Sequence, residues 1–131
     1  MKTLSENYKF YTLLHPQEVT ADTNHTAVEI EEQEIDGMVV ADLGAVTGTT
    51  PTLDLKVQTS KDGGTTWDDA LVFDQVTAGD KVAAGKLHLN LVTHVRAVSD
   101  VGGTTPSFTM SIGLLVEAAT GGENVNSTTF A

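Results

Sequence analysis

Cysteine is absent from the chain, so neither a disulfide nor a thiolate zinc site can hold it together, and it reads the same in reducing and oxidising surroundings. Arginine is nearly absent. Arg96 stands alone beside six lysines, and 7 basic residues against 18 acidic ones give a formal charge of −11. Such a field repels polyphosphates, because nucleic-acid affinity rests on cationic neutralisation, so DNA and RNA are not expected partners. No segment approaches the roughly 18 consecutive apolar residues of a membrane-crossing helix, and a membrane partner is not expected either. The opening MKTLSENYKFYTLL lacks an apolar run of ~7–15 residues and does not read as a signal peptide. Synthesis in the cytosol is the expectation.

Alternation of apolar and polar residues is what the chain does have. It is clearest in Leu53-Asp54-Leu55-Lys56-Val57-Gln58, where successive side chains go to opposite faces of a strand. Trp67, Asp69, Leu71 and Phe73 form a similar stripe, as do Leu87, Leu89 and Leu91, and then Phe108, Met110, Ile112, Leu114 and Val116. Further strands are expected at 27–30, 38–43 and 94–98, with another at 10–14 and an acidic turn before Gly37. Gly48-Thr49-Thr50-Pro51, Gly63-Gly64-Thr65-Thr66 and Gly102-Gly103-Thr104-Thr105-Pro106 carry turn chemistry ahead of strands. Their unequal spacing speaks against a solenoid or propeller. The expectation is an all-β antiparallel β-sandwich, jelly-roll or immunoglobulin-like, of seven or eight short strands. Residues 1–16 form an N-terminal arm or edge strand, 17–117 the sandwich and 118–131 a flexible C-terminal tail.

Ser60-Lys61-Asp62-Gly63-Gly64-Thr65-Thr66-Trp67 fits the Ser-x-Asp-x-Gly-x-Thr-Trp hairpin signature known as an Asp box. Ser60, Asp62, Gly63, Gly64, Thr66 and Trp67 are its structural residues: the carboxylate turns onto backbone N–H groups, the glycines accept positive φ, and the indole anchors the return strand. Sialidase propellers repeat this box in each blade, whereas this chain has one copy and no arginine cluster, so it marks a hairpin. Asp62, Asp68 and Asp69 are the nominees for paired-carboxylate hydrolysis or for calcium, but a self-capped turn and solvated acids account for them. No catalytic residue is assigned. His88 and His94 match no zinc spacing, and neither a metal nor a cofactor is expected.

Aromatic residues are few, and Tyr8, Phe10, Tyr11 and Phe130 are the ones available to stack on a sugar. Tyr8, Lys9, Phe10 and Tyr11 form the one basic-aromatic patch of an acidic chain. They are candidates for docking onto a partner, or else part of the sandwich's own edge strand.

The run from Leu53 to Trp67, with Leu87–Leu91, Val95-Arg96-Ala97-Val98 and Gly102–Phe108, resembles small virion structural proteins of tailed bacteriophages, including head decoration or cement proteins. The likeness covers roughly residues 50–116. It implies a non-enzymatic protein on the capsid exterior, bound to the major capsid protein and assembled as a homotrimer, without ATP, metal or covalent chemistry. In such a trimer Val92, Val98 and Leu115, apolar residues at positions that should be wet, would be interface residues. The alternative is a tail, fibre or baseplate module that binds host polysaccharide.

Overall fold

The alternating segments pair into seven strands in the computed structural model, which describes residues 8–31 and 36–117. They are β1 (Tyr8–Val19), β2 (Thr23–Asn24), β3 (Val28–Glu29), β4 (Asp36–Ser60), β5 (Asp68–Val72), β6 (Lys81–His88) and β7 (His94–Glu117). The acidic turn at 32–35, the first seven residues, and the 118–131 tail with Phe130 lie outside the described residues. There is no helix among the described residues.

Two expected pairs of short strands are each one long strand. The segments at 38–43 and 53–58 belong to the 25-residue β4, and those at 94–98 and 108–116 to the 24-residue β7. The Gly-Thr-Thr-Pro segments are therefore bends within strands. They face each other across the ladder, Thr49 opposite Thr104, with register shifts on either side. Their backbones match: φ is 114° at Gly48 and 107° at Gly103, 47° at Thr50 and 45° at Thr105. The pair Val46–Phe108 on one side is the mate of Leu53–Val101 on the other, so the crossing has a local two-fold axis.

That double bend divides the sheet into two leaves. Leaf one runs β1, the C-terminal half of β7, the N-terminal half of β4, then β6. Leaf two runs β2 and β3, the N-terminal half of β7, the C-terminal half of β4, then β5. With β2 and β3 counted together and the halves of β4 and β7 counted separately, each segment is followed by one in the other leaf except at the β4–β5 hairpin, which is the connectivity of a jelly roll. Both leaves contribute to one core: Val39, Ala41, Leu43, Ile112 and Leu114 from leaf one, and Leu53, Leu55, Val57, Val95 and Ala97 from leaf two, all at most 1% exposed.

Departures from simple alternation occur at bulges, where an extra residue reverses the facing of those that follow. In β5 the partner of Val57 is Leu71 while that of Gln58 is Asp69, so the extra residue Ala70 turns Asp69 outward and Leu71 inward. Asp69, with Trp67 ahead of it, therefore leaves the stripe of Leu71 and Phe73 for a geometric reason. In β1 two register shifts, one to each side of Leu14, let the neighbours Leu13 and Leu14 both enter the core. Pro16 falls in the second, on an edge strand, where a missing N–H costs least.

The stripe expected through Leu91 ends sooner. β6 stops at His88, and a turn with Leu91 at φ 66° leaves that side chain 63% exposed. Val92 takes the interior place, its N–H bonded to the Leu89 carbonyl at 2.9–3.0 Å as turn geometry requires, 3.0 Å here.

Between β1 and β2 lies a cleft of about 310 Å³ lined by Leu13, Leu14, His15, Thr23, Asn24 and His25. His25 Nε2 sits 2.9 Å from the fully buried Ser99 Oγ. Burial holds this imidazole below its ordinary pKa.

A Cβ on Gly48 would meet Pro106 Cα and the Thr105 carbonyl at 2.8 Å, and one on Gly103 the Thr50 carbonyl at 2.7 Å. Gly48→Ala and Gly103→Ala should each cost about 2–4 kcal/mol in urea unfolding, whereas Thr50→Gly, which removes a β-branched residue from the left-handed region, should be neutral or gain up to about 1 kcal/mol. For His25 the depressed folded pKa means that the unfolded chain takes up the proton first as pH falls below about 6.5. Stability should decline from pH 7 to 5, and His25→Gln should flatten that slope in unfolding curves measured across the interval.

Candidate interaction surface

Register places the outward side chains of leaf one in rows. Tyr8, Glu117, Asp36 and His88 form one; Phe10, Leu115, Met38 and Lys86 the next; Thr12, Gly113, Val40 and Ala84 a third; and Ser111, Asp42 and Val82 a fourth. The two middle rows are apolar nearly from edge to edge. Phe10 is 67% exposed, Met38 46%, Val40 38% and Val82 67%. The Phe10 ring lies over Gly113, in the space a Cβ there would need. Leu115, half-buried, sits between Phe10 and Met38.

Strand spacing of about 4.8 Å and a row spacing of about 7 Å give this patch a footprint on the order of 200 Å². A stable protein interface takes about 800 Å² per partner, so the patch is sized to be the apolar centre of a contact and not the whole of one. Its border is polar: Asp36 Oδ1 is 3.0 Å from His88 Nδ1, and Asp36 Oδ2 is 3.8 Å from Lys86 Nζ. A dry centre with a charged rim is the layout of protein contacts.

The four residues of the basic-aromatic patch lie in β1 at the edge of leaf one, as strand and not as a free arm. They point to two sides. Phe10 faces outward, while Tyr11 is packed against the core and pairs with Leu114. Lys9 is ion-paired with Glu31. Of the three expected interface residues, Val92 is 1% and Val98 6% exposed, both enclosed by this chain's own fold. Val92 is interior because of the turn at Leu91. Val98 faces the outer side of leaf two yet is covered, so neither offers apolar surface to a second copy. Leu115 remains at the surface, and it joins Phe10 on one face.

The Ser60–Trp67 loop follows β4 and is closed by its own side chains. Asp62 Oδ1 accepts from Ser60 Oγ at 2.7 Å, Thr65 N at 3.1 Å and Thr66 N at 2.9 Å, and Oδ2 accepts from Thr66 Oγ1 at 2.6 Å. Ser60 Oγ in turn accepts from Gly64 N at 2.8 Å. Gly63 and Gly64 have φ of 77° and 92°. The Thr66 hydroxyl, then the Thr66 N–H, then Ser60 hold the Asp62 carboxyl well below the usual carboxylate range. Its oxygens are committed to the loop.

Trp67 stands just before β5, half-buried on the outer side of leaf two, with the Arg96 guanidinium 4.3 Å from its ring centroid. Arg96 Nε donates to Gln58 Oε1 at 2.8 Å, and Gln58 Nε2 to Asp69 Oδ1 at 2.8 Å. Lys56 Nζ completes the line at 3.2 Å from Asp69. The Gln58 bond first, and Lys56 after it, lower the Asp69 pKa. Asp62 and Asp69 thus have separate partners, and among the described residues no group of three or more His, Asp or Glu is placed to hold a metal ion. His94 contacts the Thr93 hydroxyl at 3.0 Å, apart from the His88–Asp36 pair.

Sequence reasoning named Phe10 and Leu115 for separate surfaces but missed the Met38, Val40 and Val82 face that joins them, and it missed the Arg96–Trp67 stack. The signal for the first was Met38, Val40 and Val82, apolar residues at both parities of their strands. The second had no local signal, since Trp67 and Arg96 meet only through the β4–β7 ladder.

No protein-family model matches the sequence, and no curated protein matches it. Solved structures do share the fold. The SPBc2 prophage-derived protein YomS is similar at TM-score 0.51 and 10% identity, over 85% of this chain and 94% of that one. The VP2 subviral particle of infectious bursal disease virus is similar at TM-score 0.55 and 14% identity, over 86% of this chain and 32% of that one. The Gx strain of the same virus gives TM-score 0.52 at 10% identity, over 88% and 33%. This chain spans about a third of those two viral chains and nearly all of the prophage protein's length.

Because the Asp62 pKa is depressed, its contribution is present above the ordinary carboxylate range and is lost only when pH falls through the lowered value. Amide exchange at Gly64, Thr65 and Thr66 should stay slow at pH 4, and Asp62→Ala should raise it at least tenfold at neutral pH while leaving exchange in the leaf-one strands unchanged.

Proposed function

We propose that this chain is a non-enzymatic virion structural protein of a tailed bacteriophage. It binds the outer surface of the assembled head as a decoration or cement protein, with the major capsid protein as its partner. The observation that carries this reading is the exposed apolar face of leaf one on a jelly-roll body. The fold it shares with a prophage-derived protein and with viral particle proteins supports the virion setting. The Phe10, Met38, Val40 and Val82 side chains sit on the shell, rimmed by Lys86, Asp36 and His88. A ligand of the assembled state alone favours assembly, so binding stabilises the shell by mass action, with no reaction required. A homotrimer is part of the proposal; Leu115, between Phe10 and Met38, belongs to the shell-facing patch, so the trimer contact lies on another surface.

The alternative, a tail or fibre module for polysaccharide, draws on stacking aromatics. Tyr11 packs against the core, which leaves Tyr8 and Phe10 for that purpose among the described members of its set, and Phe10 stands in a row with the apolar Leu115 and Met38 and not among polar groups that would hold a sugar.

Undecorated expanded shells mixed with the protein should bind it saturably and disrupt at a higher temperature. Met38→Lys and Val82→Lys each place a charge where an apolar side chain would be desolvated, a loss of at least about 1.4 kcal/mol and hence at least tenfold in affinity. Both substitutions are on exposed positions and should leave unfolding midpoints nearly unchanged. Binding that is absent for the parent protein, or as tight in both variants as in the parent, sinks the reading.

A further inference from the structure

Arg96 is the one arginine of a protein with 18 acidic residues, yet it has no carboxylate within ion-pairing distance among the described residues. Acidic groups are close at hand. Asp69 is two hydrogen bonds away, but Gln58 stands between, its carbonyl toward the guanidinium and its amide nitrogen toward the carboxylate. Lys56 occupies the other side of Asp69. The guanidinium is therefore oriented from two directions: Gln58 fixes Nε, and the Trp67 ring fixes the plane at 4.3 Å. Its Nη groups, the ends that grip a carboxylate bidentately, have no protein acceptor among the described contacts.

We propose that Arg96, held by Trp67 and Gln58, is a recognition site for a carboxylate, supplied by an aspartate or glutamate side chain of a partner protein. Three features combine in it. The guanidinium is pre-ordered, so less rotamer freedom is lost on binding than for a free surface arginine. The indole removes water from one side of it, which strengthens charge pairing. Finally, arginine and tryptophan together are the residue types that dominate binding at protein contacts. A protein side chain is favoured over a sugar acid because the Trp67 face beside the site is already covered by the guanidinium and cannot stack on a pyranose ring. This site is on leaf two, on the opposite outer side from the leaf-one apolar face, and does not depend on the shell-binding reading.

The test is an NMR titration of the full chain, following the Arg96 Nε–H and Trp67 Nε1–H signals. The probes are N-acetyl-aspartate methylamide, its asparagine counterpart, glucuronate and glucose. The aspartate probe should shift both signals saturably with an apparent Kd of about 10–100 mM, as an exposed single ion pair allows, and weaken at least threefold in 0.5 M salt. The asparagine probe and glucose should shift neither. Arg96→Lys, which keeps the charge and loses the fork, should weaken the effect on Trp67 at least threefold, and Gln58→Glu, which brings an internal carboxylate to Arg96, should do the same. A purely structural stack would lower the melting temperature of Arg96→Lys but give no shifts with the parent protein. Absence of shifts with the parent, equal shifts with the asparagine probe, or undiminished shifts in Gln58→Glu each overturn the proposal. Glucuronate saturating at tenfold lower concentration than the aspartate probe overturns the assignment to a protein side chain.

Discussion

The molecule depends on the crossing of β4 and β7 at Thr49 and Thr104. Straight, the 25-residue β4 would extend about 80 Å, and the apolar stripes on either half would lie on one open ladder facing water. Two left-handed threonines, each bonding its own hydroxyl to the preceding carbonyl at 2.8 Å, and two glycines in tight contact with the opposite strand, fold that ladder onto itself. The strain is local, of order 1–3 kcal/mol per left-handed threonine. The return is the enclosure of Leu53, Leu55 and Val57 against Ile112, Leu114 and their neighbours, where each large side chain fully buried contributes about 1.5–3 kcal/mol. Burial of many such side chains exceeds the cost of two strained residues.

Once the leaves are closed, their outer sides differ in chemistry. Leaf one presents Phe10, Met38, Val40 and Val82, and leaf two presents Lys56, Gln58, Arg96 and Asp69 in a line of hydrogen bonds. The difference matters because the body as a whole carries −11. General electrostatic attraction cannot select a site on such a body, and two copies repel at long range. Contacts must instead be made at places where the surface is apolar or where a cation has been set apart from the surrounding acids.

The sequence made the β class and most of the interior legible, because alternation in Leu53–Gln58 and Phe108–Val116 survives into the fold. It misread the Gly-Thr-Thr-Pro segments as chain reversals. Glycine, threonine and proline favour a turn in either setting; only the partner strand, more than fifty residues away, decides that these two bend together and do not reverse. The same non-local pairing hid the surface. Phe10, Leu115 and Met38 are neighbours solely through register, and Val92 read as wet because the turn at Leu91 could not be located. The Ser60–Trp67 loop was transparent by contrast, since all its bonds but those of Thr93 close within the segment.

The antiparallel union of β4 with β7 also bears on how the chain reaches this state. Asp36 meets Glu117 and Ser60 meets His94, so the central ladder can begin to pair only once His94 has emerged from the ribosome and is complete only with Glu117. A topology with so little local pairing belongs among slow folders, in the range of milliseconds to seconds. During that interval β4 exposes a long unpaired edge, and its charged outward positions Asp42, Asp54 and Lys56 are what stand between it and the wrong neighbour.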